Sequence, residues 1–120
     1  MVKKILIIDD DVGLCQDLAG ILRDEGYFVD NVSDSVKGLT LINQNAYDVS
    51  LFDYKMTGLN GVDLLRKAKQ KDAKSVVFII SGMPFIEELL EEEMVSHLVD
   101  EVINKPFDIE ALLQKIRNII

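Results

Sequence analysis

The chain has 120 residues, 48% of them hydrophobic, which is the size of one domain with a buried core, and we expect a single domain over residues 1–120. A formal charge of −8 argues against direct nucleic-acid binding, because phosphate contacts need clustered Lys and Arg. The single cysteine, Cys15, excludes an internal disulfide and suits a reducing cytoplasm, and no apolar run approaches the length of a membrane span or signal peptide. We therefore expect a cytoplasmic chain with no membrane partner.

Short apolar runs alternate with amphipathic ones. Lys4 to Ile8 reads as a strand that stops at Asp9-Asp10-Asp11. From Val12 to Glu25, Leu14, Leu18, Ile21 and Leu22 recur at helical spacing, and Gly26 suits a C-terminal cap. Tyr27 to Val32 is a shorter strand. Ser33 or Asp34 can cap a second helix carrying Val36, Leu39 and Ile42, which the turn-like Asn43-Gln44-Asn45 should end.

Val49 to Phe52 is a strand that ends in Asp53, followed by the loop Tyr54-Lys55-Met56-Thr57-Gly58-Leu59-Asn60-Gly61. Val62, Leu65 and Ala68 mark a third helix, Lys-rich towards its end as the helix dipole prefers. Ser75 to Ile80 is the fourth strand, ending in Ser81-Gly82. Pro84 suits a first helical position, and Ile86, Leu89, Leu90 and Met94 predict a fourth helix with an acidic face from Glu87 to Glu93. Glu101 to Asn104 is a short fifth strand that runs into Lys105-Pro106-Phe107. Asp108 can cap a last helix whose stripe is Ile109, Leu112, Leu113, Ile116 and Ile119. Five strands alternating with five helices predict an α/β fold, a doubly wound parallel sheet with right-handed crossovers.

In such a sheet the residues after each strand share one edge, where open α/β sheets place their ligands. Asp9, Asp10 and Asp11 follow the first strand, Asp53 the third, Ser81 the fourth and Lys105 the fifth. If Asp9, Asp10 and Asp53 are ionised close together, their repulsion must raise a pKa or recruit a cation. Lys105 leaves about −2 uncompensated, which a divalent ion balances. All the candidate ligands are hard oxygens in an open, three-sided site, so Mg²⁺ fits better than a closed zinc or calcium cage. A magnesium ion and a lysine beside Asp53 would neutralise an incoming phosphoryl group and let the carboxylate attack it in line. Ser81 and Lys105 could then bond phosphoryl oxygens, and the new dianion could bias the face of the fourth helix between two packings.

These motifs together resemble the receiver domain of two-component response regulators. Ile5-Leu6-Ile7-Ile8-Asp9-Asp10-Asp11 resembles the family's acidic pair after strand one, and Asp48 to Gly61 its phosphoacceptor strand and loop. Ser81-Gly82 and Lys105-Pro106-Phe107 resemble its hydroxyl and lysine positions, so the resemblance covers essentially the whole chain. It implies a flavodoxin-like fold with strand order 2-1-3-4-5 and a cis Lys105-Pro106 bond. It implies Asp53 as phosphoacceptor, Asp10 and Asp53 as direct Mg²⁺ ligands (Mn²⁺ could substitute), Asp9 acting through metal-bound water, and the Lys55 backbone carbonyl as a further ligand. A sensor histidine kinase or phosphotransfer protein would donate the phosphoryl group. Chemistry would be limited to phosphoryl acceptance and autodephosphorylation, with an effector domain in a longer native chain or a phosphorylation-dependent homodimer as outputs.

Three departures bear on the output. Val102 stands where the family usually has an aromatic, and Thr57 replaces a loop proline, which should loosen that turn. The stretch from Ser81 to Lys105 is slightly long, and Leu98-Val99 replaces a small Gly-Ala pair. These features motivate an alternative, an interaction domain whose output is independent of phosphorylation. A phosphatase is disfavoured, since Lys55 occupies the position where its second catalytic Asp would be expected. Asp11 reads as a first-turn helix carboxylate, Cys15 as a packing residue, His97 as a solvated loop residue and Glu87 to Glu93 as a solvated face. Met56 and Met83 flank the proposed site, where they pack or screen water.

Overall fold

The computed structural model describes residues 2–120. Its elements run in chain order β1 (Lys4–Ile8), α1 (Val12–Asp24), β2 (Phe28–Val32), α2 (Ser35–Gln44), β3 (Val49–Asp53), α3 (Gly61–Lys71), β4 (Val76–Ser81), α4 (Ile86–Glu92), β5 (Glu101–Asn104) and α5 (Ile109–Ile119), with a 3₁₀ turn at Ser96–Leu98. The five strands form one parallel sheet in the order β2-β1-β3-β4-β5. This is the doubly wound α/β architecture expected from the alternation of runs, in the flavodoxin-like strand order that the receiver resemblance implies.

Period-2 alternation on the central strands divides the core into two layers. Ile5, Ile7, Leu51 and Ile80 pack with Leu18 and Leu22 of α1 and Leu112 and Ile116 of α5. Leu6, Ile8, Phe52 and Ile79 pack on the opposite face with α2, α3 and α4 through Ile42, Leu65 and Leu90. Every residue of β3 is buried, so the strand that delivers Asp53 is covered on both faces. Among the described residues no helix is long and apolar enough to cross a membrane.

Helix ends explain where pattern and structure part. Asp11, Asp34, Asn60 and Asp108 each cap a helix through a side-chain oxygen, Asn60 in a reciprocal capping box with Asp63. Gly26, with φ of 98°, closes α1 in a Schellman motif: its N–H donates to Arg23 O and that of Tyr27 to Leu22 O. Helix α2 continues through Gln44, past the predicted stop. Lys71, from the end of α3, donates to the carbonyls of Ile42 (2.6 Å), Asn43 (3.1 Å) and Asn45 (2.6 Å) and so satisfies a terminus with no basic residue of its own.

Helix α4 is shorter than its pattern predicts. Pro84 lies outside it, because Phe85 adopts φ of 60° and the helix begins only at Ile86. Met94 lies beyond it at φ of 60°, completing a second Schellman motif in which Met94 N–H donates to Glu91 O and Val95 N–H to Leu90 O. Repulsion along Glu87, Glu88, Glu91 and Glu92 weakens further helix, and the turn lets Val95 reach the core.

Gly38 marks where α2 presses on β1, since a Cβ there would collide with the fully buried Ile8 side chain. Alanine gains about 1 kcal/mol in helix propensity, but overpacking costs about 1–3 kcal/mol. Gly38→Ala is therefore expected to lower stability in urea unfolding by about 1 kcal/mol; a more stable variant contradicts this packing.

Candidate functional site

The carboxyl ends of β1, β3, β4 and β5 bring the polar residues together. Asp9 prolongs the β1–β2 ladder, its N–H donating to Val32 O at 3.2 Å, and is 2% exposed. Its Oδ1 accepts from the Asp11 N–H at 3.0 Å, which orients the carboxylate while Asp11 caps α1. Asp53 ends β3 and is 6% exposed. Carboxylate oxygens of Asp9, Asp10 and Asp53 lie within 4.8 Å of one another, Asp10 facing solvent.

Lys105 closes one side. Its Nζ stands 2.9 Å from Asp9 Oδ2 and 3.5 Å from Asp53 Oδ2, and its backbone N–H donates to Ser81 O at 2.8 Å. The following peptide bond to Pro106 is cis. Ser81 is 1% exposed at the end of β4, paired with Asn104 of β5. Its Oγ accepts from the Met83 N–H at 2.9 Å, so it caps the local turn while retaining a proton to donate.

Burial is the largest influence on Asp53. It pushes the carboxyl up to about 7, the Asp9 charge adds to the rise, and Lys105 offsets part of it. Burial alone would pull the Lys105 ammonium down, but Asp9 and Asp53 outweigh it and hold the group above its ordinary value. The donor set is a wall of hard oxygens with one cation, which suits a small divalent ion and a phosphoryl oxygen better than a soft metal.

The loop after Asp53 is held closely. The Tyr54 N–H donates to Ile80 O at 2.9 Å and the Gly61 N–H to Tyr54 O at 2.8 Å. A Cβ on Gly61 would come within 2.7 Å of Asp53 O, so a side chain there is excluded. Lys55 lies in this loop with its side chain exposed. Thr57 does not leave the turn loose as expected, because Ser35 of α2 bonds both sides of Gly58. The sequence pattern singled out Ser35 for nothing, since its partners lie 22 and 24 residues away. Met56 and Met83 are half-buried, His97 is exposed, and Cys15 is buried in the core with its thiol near Val32 O.

Together these features define a flavodoxin-like α/β domain with an acidic pocket and one lysine at the carboxyl edge of its sheet. The model of the response regulator receiver domain matches residues 5–117, and the chain belongs to that family, as a receiver domain of a two-component response regulator. It is similar to response regulator ArlR of Staphylococcus aureus (strain Mu50 / ATCC 700699), with 31% identity over 117 residues, 98% of this chain and 52% of that protein. The chain thus spans about half the length of the curated relatives it matches. A CheY-like response regulator receiver domain protein from Methanospirillum hungatei JF-1 superposes with a TM-score of 0.89 at 30% identity, covering 98% of this chain and 93% of that one. Response regulator TrrA from Thermotoga maritima, solved in complex with Mg²⁺-BeF, shares the fold at 22% identity and a TM-score of 0.85, over 99% of this chain and all of that one.

The raised Asp53 carboxyl has a stability consequence. The folded state binds a proton more tightly than the unfolded chain, whose Asp titrates near 3.8, so without metal stability falls as pH rises from about 4 to about 7. Asp53→Asn removes that dependence. In EDTA the variant is expected to exceed the wild type by about 1–3 kcal/mol at pH 8 and to converge with it towards pH 4. Parallel pH profiles in thermal unfolding contradict the assignment.

Proposed function

We propose that this receiver accepts a phosphoryl group on Asp53 from a histidine kinase or phosphotransfer protein and transmits the change through the α4–β5 face. The observation that carries the reading is the cluster of Asp9, Asp10 and Asp53 within 4.8 Å, with the Lys105 ammonium 3.5 Å from Asp53. Asp10 and Asp53 would hold Mg²⁺ directly, Asp9 through water, and the Lys55 main-chain carbonyl would add a neutral oxygen. When bound, the ion supplies positive charge that keeps Asp53 ionised and balances the phosphoryl oxygens.

The chain's own residues do the rest. An Asp53 carboxylate oxygen forms the new P–O bond as the donor's phosphohistidine P–N bond breaks, and the electron pair departs on the imidazole nitrogen. Lys105 neutralises one developing oxygen charge and the Ser81 hydroxyl donates to another. The catalysis consists of positioning and electrostatics, so the domain acts on itself rather than on a separate substrate.

Helix α4 suits a switching element. It has seven residues, no side-chain N-cap, and left-handed Phe85 and Met94 at its ends, which store strain. Val102, half-buried against the α4 layer, offers no ring to rotate. That observation favours the second reading, an output independent of phosphorylation; partner binding that beryllofluoride leaves unchanged would support it.

Incubation with acetyl phosphate or phosphoramidate and Mg²⁺ is expected to add the mass of one phosphoryl group, and Asp53→Asn is expected to abolish the gain. An unchanged wild-type mass, together with no beryllofluoride adduct, overturns the proposal.

A further inference from the structure

We infer that Ser35 is a positioning residue for the metal and phosphoryl site, clamping the loop after Asp53 from α2; this rests on the phosphoacceptor reading above. The Ser35 hydroxyl donates to Thr57 O at 3.0 Å and accepts from the Leu59 N–H at 3.0 Å. One side chain thus bridges the two residues flanking Gly58, whose φ of 85° forms the bend. Among the described residues, these two are the only hydrogen bonds that reach Lys55 to Leu59.

Ser35 is free for this task. Asp34 caps α2, its Oδ1 accepting from the N–H groups of Val36 and Lys37, so the Ser35 hydroxyl is not needed at its own helix terminus. The residue is 3% exposed, where an unsatisfied hydroxyl is costly, and both of its bonds point to the loop. A Cβ on Gly58 would lie 3.0 Å from Ser35 Oγ, so the bend rests directly on it. The neighbouring anchors are Asn60, in its capping box with Asp63, and the apolar contacts of Met56 and Leu59 with the α2–α3 layer. Without the clamp, the stretch carrying the Lys55 carbonyl is fixed at its two ends and by packing alone. The entropy of ordering it then falls on metal binding.

The test measures Leu59 amide exchange in the metal-free chain and Mg²⁺ affinity by calorimetry, in wild type, Ser35→Ala and Gly38→Ala. Ser35→Ala is expected to speed Leu59 exchange by about tenfold and weaken Mg²⁺ by about five- to tenfold. Gly38→Ala disturbs the same helix one turn on, through the Ile8 side chain and not through a loop residue, and is expected to leave Mg²⁺ affinity at the wild-type value, which separates positioning from general destabilisation. Unchanged Leu59 exchange, or unchanged Mg²⁺ affinity in Ser35→Ala while the wild type binds, overturns the inference alone. Equal weakening in Gly38→Ala overturns it too. A wild-type chain that binds no Mg²⁺ overturns the phosphoacceptor reading, and the clamp's role with it.

Discussion

The structure depends on an imbalance of charge held in a half-dry place. Asp9 and Asp53 are almost fully buried, Asp10 faces them from the rim, and one ammonium at 2.9 Å and 3.5 Å serves both buried carboxylates. Removing a carboxylate from water costs several kcal/mol unless a partner replaces the lost solvation, and Lys105 replaces only part of it. The folded chain therefore carries this cluster at the expense of stability. The apolar strands around it make that tolerable, since β3 is buried along its whole length and cannot let Asp53 retreat into solvent.

The surrounding architecture keeps the imbalance from relaxing. Asp9 is tied to β2 through Val32, Lys105 to β4 through Ser81 O, and Tyr54 to β4 through Ile80 O, so Asp9, Asp53 and Lys105 are each anchored by a main-chain bond at their own position or the next. Helix α4, by contrast, ends in left-handed residues at both sides and shows its glutamates to water. A charge cluster tied by main-chain bonds beside a short helix without a side-chain N-cap is a combination in which a local change of charge can select between packings.

Much of this was readable from residue order. Asp9, Asp53, Ser81 and Lys105 each close or follow an apolar run, and a parallel sheet brings such positions to one edge whatever the loops do. Long-range satisfaction of polar groups was not readable. Lys71 prolongs α2 from 26 to 29 residues away, and Ser35 steadies the Gly58 bend from over 20, neither leaving a local pattern. The pattern overran both ends of α4 because Pro84 suits a first helical position and Met94 suits a helix by propensity, while tertiary demands placed Phe85 and Met94 at positive φ. The sequence also pointed to repulsion as the chief influence on Asp53, whereas burial is larger, a quantity that only the packed sheet determines.

On the proposed reading this acidic pocket, and not the acidic face of α4, holds the divalent cation. Substoichiometric Mn²⁺ added to ¹⁵N-labelled protein tests it through paramagnetic line broadening. The amides of Asp9 to Asp11, Asp53 to Met56 and Lys105 are expected to broaden first. Broadening that begins at Glu87 to Glu93, or spreads evenly over the acidic surface, would contradict it.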